Sequence, residues 1–205
     1  VANRLLAVLD EVAHRRGVAN WIEKTPWHLR HISLLEKTSP QERTQFIHVI
    51  RRGPDVVASL HNASKSWERA YDLESCVRRW NEDMARSLAR IGHPNHHFVV
   101  YEMLTAAPET VLRELVERLG LAWEPEILER FSAAADEIVT SHETWKHDVG
   151  RPISPSATSH IELDDEQRLL VNGLLDSGLY DRLVECTIQA ASPGRDPVGN
   201  HGRSR

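Results

Sequence analysis

The chain has 205 residues, of which 40% are hydrophobic and 27% are charged, a composition typical of a folded globular domain with a substantial core. Its formal net charge of −5 excludes the overall basic surface of a nucleic-acid-binding protein, so an anion site must be a local cluster of cations. No stretch approaches the roughly 18 apolar residues of a membrane-spanning helix, and the first residues lack the pattern of a signal peptide.

The predicted elements of the first half alternate between helices and short apolar runs. Apolar residues at spacings of three and four, with proline in the first turn or glycine after the last, indicate the helices. In chain order, the predictions are a helix over residues 1–16 that ends near Gly17, a short buried strand at Trp21-Ile22, a helix from Pro26 to Leu35, an interior strand of a parallel sheet over residues 46–50, and a helix from Pro54.

The second half continues the same alternation. In chain order, the predictions are a helix over residues 72–91, a turn over 93–97, a buried strand over 98–104, helices over 107–121 and 123–139, a polar loop over 141–160, and a last helix over 164–180. Short strands between longer helices predict an α/β fold, in which helices flank a parallel sheet.

The cysteines and the chain ends bear on how the protein is organised. Cys76 and Cys186 lie too far apart to suggest a disulfide framework or a metal site, so we expect a reducing cytoplasm. The chain begins with valine, in what has the pattern of a helix interior. We therefore expect residues 1–187 to be the C-terminal portion of a single domain, and residues 188–205 to be a disordered tail.

The strand over residues 46–50 runs directly into Arg51 and Arg52, and Ser59 follows on the next predicted helix. In α/β sheets, ligands bind at the carboxyl ends of strands, where the N–H groups of a helix start favour anions. Guanidinium groups add bidentate, charged hydrogen bonds to phosphate. The arrangement therefore predicts an anion site. The alternative is a pair of surface arginines that form ion pairs with Asp55 or Asp83.

The order of residues from the strand to Ser59 closely resembles the 3′-phosphate motif of sulfotransferases that use 3′-phosphoadenosine 5′-phosphosulfate (PAPS). The shared pattern is an apolar strand, Arg, small and Pro residues, Asp, and Val-X-X-Ser. The resemblance implies that Arg51 and Ser59 bind the 3′-phosphate of the nucleotide, with Arg52 in support. The sequence departs from the commoner form at Arg52-Gly53, where an acidic residue or Asn often stands.

Three further stretches resemble the same family, in the same order along the chain. They are "WIEKTP" (residues 21–26), "FVVYEML" followed by a helix that ends in Leu-Gly-Leu (residues 98–121), and "DSGLYDRL" (residues 176–183). The chain is most similar to the tyrosylprotein-sulfotransferase-like branch, which includes many bacterial enzymes. The resemblance implies a three-layer α/β fold like that of P-loop NTPases, a bacterial source, PAPS as donor, and adenosine 3′,5′-bisphosphate as product.

The resemblance also assigns roles to two residues near strand ends. Sulfuryl transfer is an in-line displacement in which charge develops on the leaving oxygen. Lys24 is implied to be the cation that stabilises this charge on the leaving phosphate. The alternative is a solvated lysine paired with Glu23. Tyr101 is implied to contact the nucleotide, and the alternative is a tyrosine that only packs at a strand end.

The polar loop over residues 141–160 is expected to cover the cofactor as a lid, because it is long for a simple connection. In the family, a basic residue just before a proline in this region reaches the 3′-phosphate. The resemblance assigns that role to Arg151, which precedes Pro152, with Lys146 as a second candidate.

Two parts of the family's site are not found in the sequence: the Gly-rich loop that binds the 5′-phosphosulfate, and the acidic catalytic base. We therefore expect residues 1–205 alone to be inactive. The full enzyme is expected to transfer a sulfuryl group to a hydroxyl or amine of a small-molecule, carbohydrate or peptide acceptor.

His28 has a side chain suited to a general base, although a helix-surface position is the alternative. No pattern predicts a metal site.

The residues leave two other functions open. One is a non-catalytic nucleotide- or anion-binding module that keeps only the 3′-phosphate clamp. The other is a nucleotide kinase of related fold, which would not favour adenosine 3′,5′-bisphosphate over adenosine 5′-phosphates.

Overall fold

The computed structural model describes residues 2–40, 42–130, 153 and 163–191. The helices are α1 (Ala2–Arg15), a 3₁₀ helix (His28–His31), α2 (Ile32–Thr38), α3 (Gly53–Ser64), α4 (Leu73–Leu88), α5 (Tyr101–Ala106), α6 (Pro108–Arg118), α7 (Asp165–Leu174) and α8 (Ser177–Ala191), and the strands are β1 (Phe46–Ile50) and β2 (His96–Val100). Residues 126–130 are also helical. No helix among the described residues is long and apolar enough to cross a membrane.

The sheet of the described region consists of β1 and β2, which pair in parallel with Ile50 opposite Val100. Both strands therefore end at the same edge, and the residues that follow them start side by side. Helices pack against this sheet, and α6 contacts β2, whose Val99 is only 4% exposed, so the predicted α/β architecture is confirmed. The prediction of an interior strand differs from the structure in one respect: Ile47 is 40% exposed and Val49 is 58% exposed, because no described element packs on that face of β1.

The α4 helix is the centre of the core. Its N-cap is Asp72, whose carboxylate accepts a hydrogen bond from the Ser75 N–H at 2.7 Å. Its buried face packs with the ends of both strands, with α3 and with the last two helices, in a cluster that includes Ile50, Val57, Cys76, Val77, Trp80, Met84, Val100, Val171 and Leu183. The predicted helix over residues 72–91 is thus confirmed, together with its amphipathic pattern.

Two hydrogen bonds fix the direction of α4 relative to β1. The Ser87 hydroxyl lies 3.1 Å from His48 Nδ1 in the middle of the strand, and the Trp80 indole donates to the Arg51 carbonyl at its end, also at 3.1 Å. Seven residues of helix and three of strand both span about 10 Å. The α4 helix therefore runs antiparallel to β1, and its first two turns extend beyond the carboxyl edge of the sheet.

The single last helix predicted over residues 164–180 is wrong, because α7 and α8 are separate helices. The Asn81 side chain holds the junction between them: its amide nitrogen donates to the Leu174 carbonyl, and its oxygen accepts from the Asp176 N–H, both at 3.0 Å. Leu175 of this junction packs on the start of α3. A Cβ added to Gly53 would lie 2.6 Å from Leu175 Cδ2, so a larger residue here would force the Leu175 side chain to move.

Several predicted boundaries also shift. Trp21-Ile22 is not a strand: the Trp21 indole donates to Asp10 at 3.0 Å, and Ile22 is 88% exposed, without a paired strand among the described residues. The helix predicted from Pro26 begins as the 3₁₀ helix, and β2 begins inside the predicted turn. The predicted strand over 98–104 ends at Val100, since Tyr101 opens α5.

Apart from Ile153, the predicted loop over 141–160 lies outside the described residues. Most of the tail also lies outside them, as does the predicted helix over 123–139 after residue 130. The α8 helix continues to Ala191, beyond the first residues assigned to the tail.

A buried histidine makes the fold sensitive to acid. Burial, with a further contribution from the neighbouring His96, lowers the pKa of His48 from 6.5 to about 4. The unfolded chain therefore takes up this proton at a higher pH than the folded chain does. We expect the free energy of unfolding to fall as the pH drops from about 6.5 to 4, with His48 contributing roughly 3 kcal/mol of the loss.

Urea unfolding at a series of pH values measures this effect. The His48→Gln variant should have a flatter pH profile than the wild type over this interval, whereas His14→Gln, at an exposed position of α1, should keep the wild-type slope. An unchanged slope in His48→Gln would contradict the assignment.

Candidate functional site

Arg51 and Tyr101 meet at the carboxyl edge of the sheet. Each is the first residue after its strand, and the Arg51 Cζ lies 4.4 Å from the centroid of the Tyr101 ring. The Arg51 Nε is buried and has no hydrogen-bond partner among the described residues. Stacking on an aromatic ring orients a guanidinium without neutralising it. The edge of the sheet therefore presents an oriented cation with unsatisfied hydrogen-bonding capacity.

The carboxylates proposed as alternative partners are not bound to these arginines. Asp83 forms ion pairs with Arg79 at 3.7 Å and with Arg86 at 3.2 Å. Asp55 lies in the first turn of α3, and no ion pair joins it to Arg51 or Arg52 in the described part of the chain. The alternative of surface arginines paired with Asp55 or Asp83 is therefore wrong.

Arg52 forms the N-cap of α3 and contacts a different acid. Its N–H donates to Glu102 Oε1 at 3.0 Å, and its Nε lies 3.5 Å from the same oxygen. Ser59 follows on α3, where it is half-buried, and its hydroxyl makes no hydrogen bond within the described residues. Arg51, Arg52 and Ser59 are thus placed where a strand gives way to a helix, as the sequence predicts.

Glu102 is a component of the site that the sequence interpretation missed. Its Oε2 accepts a hydrogen bond of 2.7 Å from the Tyr180 hydroxyl, which joins two of the stretches that resemble the family, "FVVYEML" and "DSGLYDRL". Burial alone raises the pKa of the Glu102 carboxyl, but the bonds from the Arg52 N–H and the Tyr180 hydroxyl outweigh it and lower that pKa. Burial, and then the bond to Glu102, raise the pKa of Tyr180, so this hydroxyl stays a donor.

Removing the Tyr180 hydroxyl should destabilise this region. In Tyr180→Phe, the Glu102 carboxylate, which is only 16% exposed, loses a donor. We expect the free energy of unfolding to fall by about 1.5–3 kcal/mol, the usual value for a hydrogen bond to a charged group. Urea unfolding measures it, with Tyr71→Phe as control, since that hydroxyl has no hydrogen bond among the described residues. A loss below about 0.5 kcal/mol would contradict the role of this bond.

Lys24 lies in an irregular segment before the 3₁₀ helix, where it is exposed. No ion pair joins Lys24 to Glu23 within the described residues, although the exposed position is what the alternative of a solvated lysine expects. Glu23 Oε1 accepts a 2.6 Å hydrogen bond from the Thr25 hydroxyl, and its Oε2 lies 2.7 Å from His28 Nδ1. Glu23 therefore lies beside Thr25 and His28, and the Lys24 amine has no ion pair among the described residues.

The remaining site candidates, Lys146 and Arg151, lie outside the described residues. Within the described ranges, no group of three or more His, Cys, Asp or Glu side chains is arranged to hold a metal ion.

Comparison with known proteins gives the family. A sequence profile described as "Sulfotransferase family" matches residues 2–125, more than half of the chain. The chain therefore belongs to the sulfotransferase family, a family of transferases, and the predicted family is confirmed. No curated protein sequence matches significantly.

A solved structure supports the fold. The structure described as "Sulfotransferase Domain from the Curacin Biosynthetic Pathway" aligns with a TM-score of 0.50 and 18% sequence identity, covering 92% of this chain and 67% of that chain. The likeness confirms the fold class of a sulfotransferase domain.

Proposed function

We propose that the protein transfers a sulfuryl group from PAPS to a hydroxyl or amine of its acceptor and releases adenosine 3′,5′-bisphosphate. The observation that carries this proposal is the Arg51 guanidinium, which is oriented over Tyr101 at the carboxyl edge of the sheet with a buried, unpartnered Nε. A buried donor without an acceptor is costly, and a phosphate oxygen would satisfy it. In a member of the sulfotransferase family, the 3′-phosphate of the donor is the anion that this site fits.

The residues around Arg51 have separate roles in the proposal. Arg51 and the Ser59 hydroxyl hold the 3′-phosphate, Arg52 supports them from the start of α3, and Tyr101 contacts the nucleotide. Lys146 and Arg151 are proposed to approach the same phosphate. Glu102 is a positioning residue, because it fixes the Arg52 backbone.

Lys24 is proposed to act on the reaction itself. PAPS supplies an activated sulfuryl group, whose S–O bond to the 5′-phosphate breaks as a bond forms to the acceptor oxygen or nitrogen. Negative charge then develops on the 5′-phosphate, and the Lys24 ammonium stabilises it. The acceptor loses a proton, and His28, whose Nδ1 lies beside the Glu23 carboxylate, is a candidate to receive it.

The setting of the reaction is also part of the proposal. Both cysteines are free thiols, as expected of a protein in a reducing compartment. We place the reaction in the cytoplasm of a bacterium, with a small-molecule, carbohydrate or peptide acceptor.

Equilibrium binding of three nucleotides tests the proposed donor. The chain should bind adenosine 3′,5′-bisphosphate at least tenfold more tightly than adenosine 5′-phosphate or ATP, because only the first carries the phosphate that Arg51 binds. Isothermal titration calorimetry gives the three dissociation constants. Equal affinity for all three would contradict PAPS as donor and favour a nucleotide kinase or a general anion-binding module.

A further inference from the structure

A second group of cations lines a cleft of about 280 Å³ between the 3₁₀ helix and the first turns of α4. The walls carry two aromatic rings, four arginines and two acids: Trp27, Tyr71, Arg30, Arg69, Arg78, Arg79, Asp72 and Glu82. The charged lining is therefore positive by two.

The acids of the cleft have partners on α4, although Asp72 also attracts Arg69 and Arg78 at longer range. Asp72 caps α4, and Glu82 forms an ion pair with Arg86 at 3.3 Å. Of the four arginines, Arg79 pairs with Asp83. The other three form no ion pair with a carboxylate among the described residues: Arg30, Arg69 and Arg78. The cleft thus holds more positive charge than its own acids neutralise.

Trp27 orients two of the arginines. The Cζ atoms of Arg30 and Arg79 each lie 4.7 Å from the centroid of the Trp27 ring. The Arg30 Nε is buried and has no hydrogen-bond partner in the described part of the chain. Like Arg51, Arg30 is a positioned cation with a donor that no described group satisfies, and this arrangement suits an anion from outside.

The cleft lies close to the proposed centre of transfer. Trp27 is three residues after Lys24, so the two Cα atoms are at most about 11 Å apart. The opposite wall, from Asp72 to Arg79, belongs to the part of α4 that extends beyond the carboxyl edge of the sheet, on the same side as Arg51. The cleft is thus near Lys24 along the chain, and its lining does not include Arg51 or Ser59 of the proposed 3′-phosphate site.

We propose that this cleft binds an anionic group of the acceptor, a carboxylate or a sulfate ester, while the hydroxyl or amine to be sulfated lies toward Lys24. Arg30 and Arg78 are the specificity-determining residues, since both line the cleft and neither is paired with a carboxylate in the described structure. The proposal rests on the proposed sulfuryl transfer and adds the substrate class: acceptors that are already acidic.

Two pairs of compounds test the proposal by calorimetry in low-salt buffer. The first pair is 4-hydroxyphenylacetate and its neutral amide, and the second is glucose 6-sulfate and glucose. The anionic member of at least one pair should bind roughly tenfold more tightly than the neutral member. A difference in the first pair indicates a carboxylate site, and a difference in the second indicates a sulfate site. Arg30→Gln and Arg78→Gln should each reduce this preference severalfold.

Arg113→Gln is the matched control, because Arg113 also lies over a tryptophan, with its Cζ 4.8 Å from the centroid of the Trp123 ring, but outside the cleft. It should leave the preference unchanged. Arg78 is exposed, so its variant tests the proposal even if Arg30→Gln unfolds.

Adenosine 3′,5′-bisphosphate affinity, measured in the same samples, separates the two proposals. If the protein prefers adenosine 3′,5′-bisphosphate but binds the anionic and neutral members of both acceptor pairs equally, the acidic-acceptor inference is overturned and the proposed donor stands. The inference is also overturned if Arg113→Gln loses the preference for the anionic compound, or if Arg30→Gln and Arg78→Gln both keep it. Discrimination that depends on Arg30 and Arg78, in a protein without nucleotide preference, supports the anion site and overturns the proposed donor.

Discussion

Replacing Arg51 by alanine should raise the dissociation constant for adenosine 3′,5′-bisphosphate about a hundredfold and leave that for adenosine 5′-phosphate nearly unchanged. The reason is that Arg51 presents a buried, unpartnered Nε at the edge of the sheet, and a bidentate bond to phosphate is worth about 2–3 kcal/mol. The fold should tolerate the change, because the side chain has no ion pair among the described residues. Calorimetric titration with the two nucleotides measures the effect.

Two further variants make this result specific to the proposed contact. Arg51→Lys keeps the charge but loses the planar fork, so it should restore only part of the affinity. Arg113→Ala removes a guanidinium that lies over another ring, that of Trp123, and should have no effect on either nucleotide. If Arg51→Ala weakened both nucleotides equally, the guanidinium would not distinguish the 3′-phosphate, and its assignment would be wrong.

Replacing Lys24 by alanine should slow sulfuryl transfer about a hundred- to a thousandfold, as removal of a group that stabilises developing charge commonly does. The affinity for adenosine 3′,5′-bisphosphate should change far less, because the proposed role is to stabilise the transition state. Initial rates with saturating PAPS, measured on the full natural protein, give the loss in kcat.

The control for Lys24 is Lys37→Ala, which removes another exposed lysine from α2 and should keep the wild-type rate. Lys24→Arg should recover part of the activity, since it restores a cation with a different shape. A Lys24→Ala variant that turned over at the wild-type rate would show that the leaving phosphate is stabilised elsewhere.

Local signals in the sequence predicted much of the fold. Pro54 and Pro108 lie in the first turns of α3 and α6, and Gly17 and Gly120 adopt positive φ after α1 and α6. The apolar spacing of α4 matches its buried face. Each of these depends on neighbours in sequence. The helix and strand boundaries that were predicted wrongly depend on contacts between residues far apart in sequence. One example is the Asn81 amide, which holds the junction of α7 and α8.

The residues of the site also differ in whether the sequence alone could locate them. The sequence placed Arg51 and Ser59 at a strand end and on the next helix, because the order of residues alone fixes those positions. It did not show that Tyr180 binds Glu102, although both belong to stretches that resemble the family, because only the folded chain brings residues 78 positions apart together. The cleft around Trp27 and Arg30 was missed for the same reason, since α4 supplies its opposite wall.

The most direct measurement of the central claim is a crystal structure of the protein with adenosine 3′,5′-bisphosphate. We expect the 3′-phosphate oxygens to lie within hydrogen-bond distance of the Arg51 guanidinium and the Ser59 hydroxyl, with Tyr101 in contact with the nucleotide. A nucleotide that bound elsewhere, or that placed its 5′-phosphate on Arg51 and left the 3′-phosphate in solvent, would contradict the account.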